Sequence, residues 1–416
     1  DAYVNPVILE HDHDDLDAHS ISSNVDLIGR DLMGEHGPPG SPGEIEVVGD
    51  YAYVALLGFG FAIVDVSDPT APKTISLTEI TIPQTPVFGV YTADLKVDVT
   101  GNWIFVGMEV STTPGVLIYD ATNKAAPELH GYWAAPGKLL GCHMVEYAMI
   151  EEQEYLYCAP LDAAIYVGLF LPPNPSGQRQ VVTVGRWAPA SQDLAEWMAE
   201  DPAQRAPAAD SGHDDMTFQI DPITNDPMLF VSFWGLGVWF LDISIPAVPV
   251  TLGAWLGEGA EHYRGNIHTT MMFQDDFGRR IVVSIPEVAN PPAVFILDAT
   301  DFTNPKVLFE WMAVPDFGAQ AGKFSTHNFQ IVDQKLYLTH YHGGIIVIDL
   351  AMPEAPVPLG SYMPHEPSAD EEPYEVGVWD VVVSRGYMMT ADSNGGFYVL
   401  HFRADPMGDE DYSSFA

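Results

Sequence analysis

Four histidines fall at comparable points along the chain: His143 in "CHMVEY", His213 in "GHDDMTF", His268 in "IHTTMMF" and His327 in "THNFQIV". They lie 70, 55 and 59 residues apart, and each opens a run rich in strand-forming residues. Imidazoles gathered from separate segments can bind Zn²⁺, Cu²⁺ or Fe²⁺. In "LTHYHGG", His340 and His342 are two residues apart, so in a strand they point the same way and one could join the set. Asp214, Asp215 and Asn328 could orient the imidazoles from behind. Such a site forms only if the intervening elements bring these segments to one place.

The elements come in repeats. "FAIVDVSDPTAP" (61–72) returns as "VLIYDATNKAAP", "VWFLDISIPAVP", "VFILDATDFTNP" and "IIVIDLAMPEAP". Each is an apolar strand ending in Asp with Pro seven residues on: Asp65–Pro72, Asp120–Pro127, Asp242–Pro249, Asp298–Pro305 and Asp349–Pro356. Two degenerate copies, "AAIYVGLFLPPNP" (163–175) and "GGFYVLHFRADP" (395–406), complete seven units of roughly 50–60 residues. The five aspartates are read as turn residues that accept backbone N–H groups, with the prolines fixing φ beside them.

Each unit carries four short β-branched and aromatic runs separated by turn residues. In the first unit these are "EIEVVG", "YAYVALL", "FAIVD" and "KTISL". Seven such units predict an all-β fold, a seven-bladed β-propeller of four-stranded antiparallel blades. The seventh unit lacks its fourth strand, and "NVDLIGRDL" (24–32) supplies one, so an N-terminal strand is expected to close the ring. The organisation predicted is a His/Asp-rich acidic leader (1–24), one propeller (25–406) with a helical insertion (191–212), and an acidic tail (407–416). First strands line the channel of a propeller, so the four histidines are expected around one mouth. Units without histidine place Glu44 or Glu46, Asp94 and Trp379 near that level. The ends of the second strands contribute Glu109, Trp234, Glu287, His340, His342 and Asp392.

The phrase "YVA…FAIVDVSDPTAP" resembles the LVIVD repeat of extracytoplasmic bacterial and archaeal propellers, including choice-of-anchor-B-type proteins. The resemblance spans residues 25–406, clearly in five units and weakly in two. It implies the propeller architecture and an extracytoplasmic setting, and little about activity. It also implies a structural alternative for the histidines, because such repeats often carry His-Asp or His-Asn there, bonded to a neighbouring blade's backbone.

Sixteen basic against 58 acidic residues give a net charge of −42. Such a surface repels nucleic acids and anionic lipids, and it favours divalent cations and basic partners. No run of 18 apolar residues occurs, so no transmembrane helix is predicted. A chain opening on Asp1 with no apolar leader reads as a mature secreted or periplasmic protein whose signal has been removed. The two cysteines sit on neighbouring strands in a register that sets residue 142 against about residue 162, some four residues (~13 Å) from Cys158. Two unbridged thiols are therefore expected. "EHDHDDLDAH" (10–19) is read as a solvated acidic leader, with a calcium-type site as the alternative.

No nucleophile elbow, P-loop, dinucleotide fingerprint or HExxH is present. Two functional readings follow. One is an extracytoplasmic binding or assembly module, engaging a protein partner or a surface-associated assembly. The other is a metal-dependent enzyme using the channel histidines, similar in architecture to selenium-binding/methanethiol oxidase propellers.

Overall fold

The run "FAIV" is apolar at every position because both of its faces are covered. Phe61 and Ile63 pack with Leu95, Ile104 and Val106 of the next unit, whereas Ala62 and Val64 pack with Met389 and Val399 of the last one. A computed structural model describes residues 22–34, 37–80, 94–108, 115–134, 141–160, 164–189, 213–261, 263, 265–287, 293–312, 326–341, 343–362, 377–392 and 395–403, without the side chains of His213 and Asp214. The expectations for residues 1–21, the 191–212 insertion, the 407–416 tail, Glu109 and His342 lie outside the described residues.

Seven antiparallel sheets form the blades. Blade 1 comprises Ser41–Val48, Tyr51–Leu57, Gly60–Asp65 and Lys73–Glu79, from channel to rim. The first strands of blades 2 to 7 are Leu95–Val97, Met144–Ile150, His213–Ile220, Ile267–Gln274, Phe329–Val332 and Val378–Ser384. Each contacts the first strands of both neighbours, all the way round the ring. A hydrophobic cluster fills each of the seven seams, so stability rests on blade-to-blade burial. Among the described residues there is no helix, and none long and apolar enough to cross a membrane.

Closure is as predicted. Val25–Asp31 pairs antiparallel with Gly396–Phe402 and gives blade 7 its fourth strand. Ser22–Ser23 additionally pairs with Val357–Tyr362, so the N-terminal segment also extends the edge of blade 6. The turn aspartates behave as read: Oδ1 of Asp65, Asp120, Asp242, Asp298 and Asp349 each accepts the N–H two residues on, at 2.8–2.9 Å. Outer strands carry a bulge, in several blades beside a glycine, as at Gly253, where a Cβ would collide with the Phe302 carbonyl of the next blade.

The expectation of two unbridged thiols is overturned. Cys142 and Cys158 form a disulfide, with Cα atoms 5.5 Å apart. Cys158 pairs with Val145 as the hairpin requires. Cys142, however, leaves the ladder: its N–H bonds to the Met108 carbonyl of blade 2 (2.7 Å), while the His143 N–H bonds to Ala159 (2.9 Å). Straight extrapolation of the register misses that change of course.

Candidate metal centre

The strand ladders give each blade a common reference: Ile45, Leu95, Val145, Met216, Thr270, Phe329 and Val381 each pair with the fourth residue of the 51–54 type stretch in their second strand. Two positions earlier stand His143, Asp214, His268, His327 and Trp379, on blades 3 to 7. Three of the four predicted histidines therefore share a layer. His213 sits one residue further out, opposite Phe233, where blade 5 has Ile267 opposite Pro286. Both ladders carry the same bulge at this point, so the offset of His213 comes from the strand pairing itself, which unaided spacing does not reveal.

His268 and His327 meet with ring centroids 4.1 Å apart at 49°. Glu287, from the end of blade 5's second strand, joins them, and one ligand atom from each of the three lies within 4.8 Å of the others. His268 and His327 are 5% and 3% exposed. Burial, aided by the charge of His143, pushes His268 down to about 3; burial, aided by His268 and His143, pushes His327 well below the usual imidazole value. Both are therefore neutral at pH 7. Burial also raises Glu287, whose Oε1 accepts the Tyr341 hydroxyl at 2.7 Å.

A hydrogen bond fixes the tautomer of His327. The Nδ1 of His327 faces the Trp379 carbonyl at 3.0 Å, an acceptor only, so Nδ1 carries the proton and Nε2 keeps its lone pair. That Nε2 lies 3.9 Å from Glu287 Oε1. The Nδ1 of His268 lies 2.7 Å from Thr269 Oγ1, whose own proton goes to acceptors, Asn328 Oδ1 (2.8 Å) or the His327 carbonyl (3.2 Å). The His268 ring is in addition hydrogen-bonded to the His327 backbone, so it is held from two sides. Asn328 in turn donates from Nδ2 to Glu44 Oε2 at 2.5 Å, which fixes its amide orientation. Two neutral imidazoles, that of His327 with its Nδ1 proton donated, stand beside a carboxylate and form a donor set suited to Zn²⁺, Cu²⁺ or Fe²⁺.

His143 is half-buried and close enough for its charge to act on His268, His327 and Glu287. His340 is fully buried against Gly343 and contributes no atom to the group. Asn328 connects to the His268 imidazole through Thr269. Asp392 instead accepts the Gly377 and Gly395 N–H groups, each at 2.6 Å, and ties loops together. Trp234 is 38% exposed and carries its backbone carbonyl to Asn266.

Beside the histidine layer, a cavity of about 290 Å³ occupies the channel, lined by Glu44, Glu46, Lys96, Glu146, Asp215 and Asp380 among others. Glu146, Lys96 and Asp380 were absent from the sequence-derived candidates. Their signal was present: "DLKVDV", "MVEYAM" and "VWDVVV" place charges inside otherwise apolar first strands. Several of these carboxylates latch neighbouring blades. Asp94 Oδ2 accepts Val145 N–H (2.6 Å), Glu146 Oε2 accepts Phe218 N–H (3.0 Å) and Asp380 Oδ2 accepts Ile45 N–H (2.8 Å). Burial raises the Glu146 and Asp215 carboxyls to about 8.

A family model described as the LVIVD repeat matches residues 39–77. No curated protein matches the chain. Solved structures similar in fold include the β-propeller domain of Myceliophteria thermophila Cps50 (Swd1), at TM-score 0.53 and 9% identity over 90% of this chain and 99% of that one. The WD40 β-propeller domain of Doa1 follows at 0.51 and 8%, covering 90% and 96%. Saccharomyces cerevisiae Sqt1 gives 0.51 and 8%, covering 92% and 85%. At such identities the likeness concerns the fold alone. Residues 39–77 are an LVIVD repeat, and the chain that carries it folds as a seven-bladed β-propeller.

Proposed function

We propose that the chain is an extracytoplasmic binding or assembly module whose channel mouth holds a divalent transition-metal ion on His268 Nε2, Glu287 and His327 Nε2, with His143 alongside. The observation that carries this reading is the convergence of His268, Glu287 and His327, one ligand atom of each within 4.8 Å of the others, with His327 Nε2 3.9 Å from Glu287 Oε1. A purely structural histidine pair needs no such carboxylate, and its burial here raises the Glu287 carboxyl. The extracytoplasmic setting is supported by the Cys142–Cys158 disulfide, a bond that persists in oxidising compartments. Metal would fix the mouth's shape for a partner.

Metal analysis of the isolated full chain, followed by Zn²⁺ titration of the stripped protein, tests the reading. One equivalent is expected, lost in a folded His268→Ala/His327→Ala double variant. Undiminished stoichiometric binding in that variant rejects it. A second reading, metal-dependent catalysis, is favoured by the ligand count, since three protein ligands leave a coordination position open.

A further inference from the structure

We propose that Tyr341 is a positioning residue of the histidine centre, holding Glu287 so that it meets an incoming metal ion through a single oxygen. The proposal deepens the metal reading above and rests on it.

The argument begins with the backbone. Tyr341 has a φ of +37°, in the left-handed region that a bulky aromatic residue rarely occupies. Such strain persists only where the surroundings impose it. Here they do so from several sides. In the turn between Lys335–Thr339 and Ile345–Asp349 of blade 6, the Gly344 N–H bonds to the Tyr341 carbonyl at 3.0 Å. The His340 N–H bonds to the Gly344 carbonyl at 2.8 Å, and the Gly343 N–H to the His340 carbonyl at 2.6 Å. His340 packs so closely on Gly343 that a Cβ there would stand 2.7 Å from its Nδ1. Tyr341 also forms a bridge with Val378, at the start of the first strand of blade 7. His340 is thus the buried anchor of the turn, and Tyr341 is the residue the turn presents.

Its targets are the metal-ligating residues. The hydroxyl crosses from blade 6 to blade 5 and donates to Glu287 Oε1 at 2.7 Å. The ring stands edge-on to His327, with centroids 5.3 Å apart at 63°, and to Trp379, at 5.6 Å and 81°. Trp379 lies 4.2 Å from His327 in turn. One phenol therefore contacts two of the three residues that could hold the ion. The oxygen that accepts its hydroxyl is also the one 3.9 Å from His327 Nε2.

The turn itself requires none of this. Glycine would adopt the left-handed conformation at no steric cost. A tyrosine there adds a ring and a hydroxyl, and both are directed at the ligands. With Oε1 engaged by the hydroxyl, chelation through both carboxylate oxygens would have to displace that bond. The ion is then held by one carboxylate oxygen and two imidazoles, with the outer hydrogen bond setting the carboxylate's orientation.

The test compares the wild-type full chain with Tyr341→Phe, which keeps the ring and removes the hydroxyl. Zn²⁺ affinity, read by chelator competition, should fall about 10- to 100-fold, the range for losing an outer orienting group. The visible absorption bands of bound Co²⁺ at saturation should also change, because the freed carboxylate no longer offers one fixed oxygen. A merely structural hydroxyl would lower the melting temperature of the metal-free protein and leave those bands as they are. An unchanged Co²⁺ spectrum at saturation therefore overturns the proposal. Because the variant could fail to fold, proton NMR of Co²⁺-loaded wild-type protein gives a second reading. The Tyr341 ring protons should be shifted by the paramagnetic ion while those of Tyr132, exposed on the outer strand of blade 2, stay in place. Unshifted Tyr341 protons overturn the proposal. Wild-type protein that takes up neither Zn²⁺ nor Co²⁺ removes the metal reading and this proposal together. Metal uptake with an unaltered Tyr341→Phe spectrum removes this proposal alone.

Discussion

Asn328 reaches across the channel from blade 6 to Glu44 of blade 1, its Nδ2 donating to Oε2 at 2.5 Å between residues 284 apart in sequence. This bond starts a chain that runs through Thr269 Oγ1 to the Nδ1 of His268. Glu44 therefore stands three hydrogen bonds from the His268 ring.

Glu44→Gln should weaken Zn²⁺ binding by roughly 10- to 100-fold, the range for losing an outer orienting group, without unfolding the ring. A Gln amide can offer either oxygen or nitrogen, so the orientation of Asn328 is no longer imposed. Competition titration with a zinc chelator reads the change. Unaltered affinity would show that the relay does not govern the imidazole.

Stability of the metal-free protein should fall as pH rises from about 6.5 to 8. Glu146 and Asp215 hold their protons to about 8 in the folded chain, against 4.5 and 3.8 otherwise, because they are buried. Between those values the folded state binds more protons than the unfolded state, so each group's contribution declines with rising pH. Glu44, Asp94 and Asp380, also raised by burial, act in the same direction, while Lys96 stays charged throughout because the surrounding carboxylates raise it. His268 opposes them only below 6.5: its folded value of about 3 makes its contribution present above 6.5 and lost as pH falls toward 3. Thermal melts across this range, with Glu146→Gln flattening the decline, check the sign. A melting temperature that rises from 6.5 to 8 would contradict it.

Removing the disulfide should cost about 3 kcal/mol, the scale for closing a loop of this length, with Cys142 and Cys158 separated by 16 residues. Denaturant melts of Cys142→Ser/Cys158→Ser against wild type measure it. Identical midpoints with and without reductant would mean the bond carries no stability.

Deleting residues through Asp31 removes the fourth strand of blade 7 and uncovers the edge Gly396–Phe402. The truncated chain should aggregate or melt at markedly lower temperature, and a synthetic peptide covering residues 22–33 should restore part of the loss. Light scattering and calorimetry follow both.

The architecture was legible because the Asp-to-Pro phrase recurs at blade spacing and both faces of its strand are apolar, as Phe61 to Val64 show. His143, His268 and His327 were legible by the same spacing. His213 falls one residue outside the layer and Cys142 departs from its ladder, and neither shift has a residue-level signature. Glu146, Lys96 and Asp380 were missed for another reason. Alternating charges in a strand read as solvent-facing until ring closure turns that face into a channel wall.

The central claim is most directly tested by ¹⁵N NMR of the imidazoles during Zn²⁺ addition to the metal-stripped full chain. The account predicts that Nε2 of His268 and His327 shift together at one equivalent while both Nδ1 atoms stay protonated. Zinc bound through either Nδ1, or a saturated protein in which neither Nε2 moves, would contradict it.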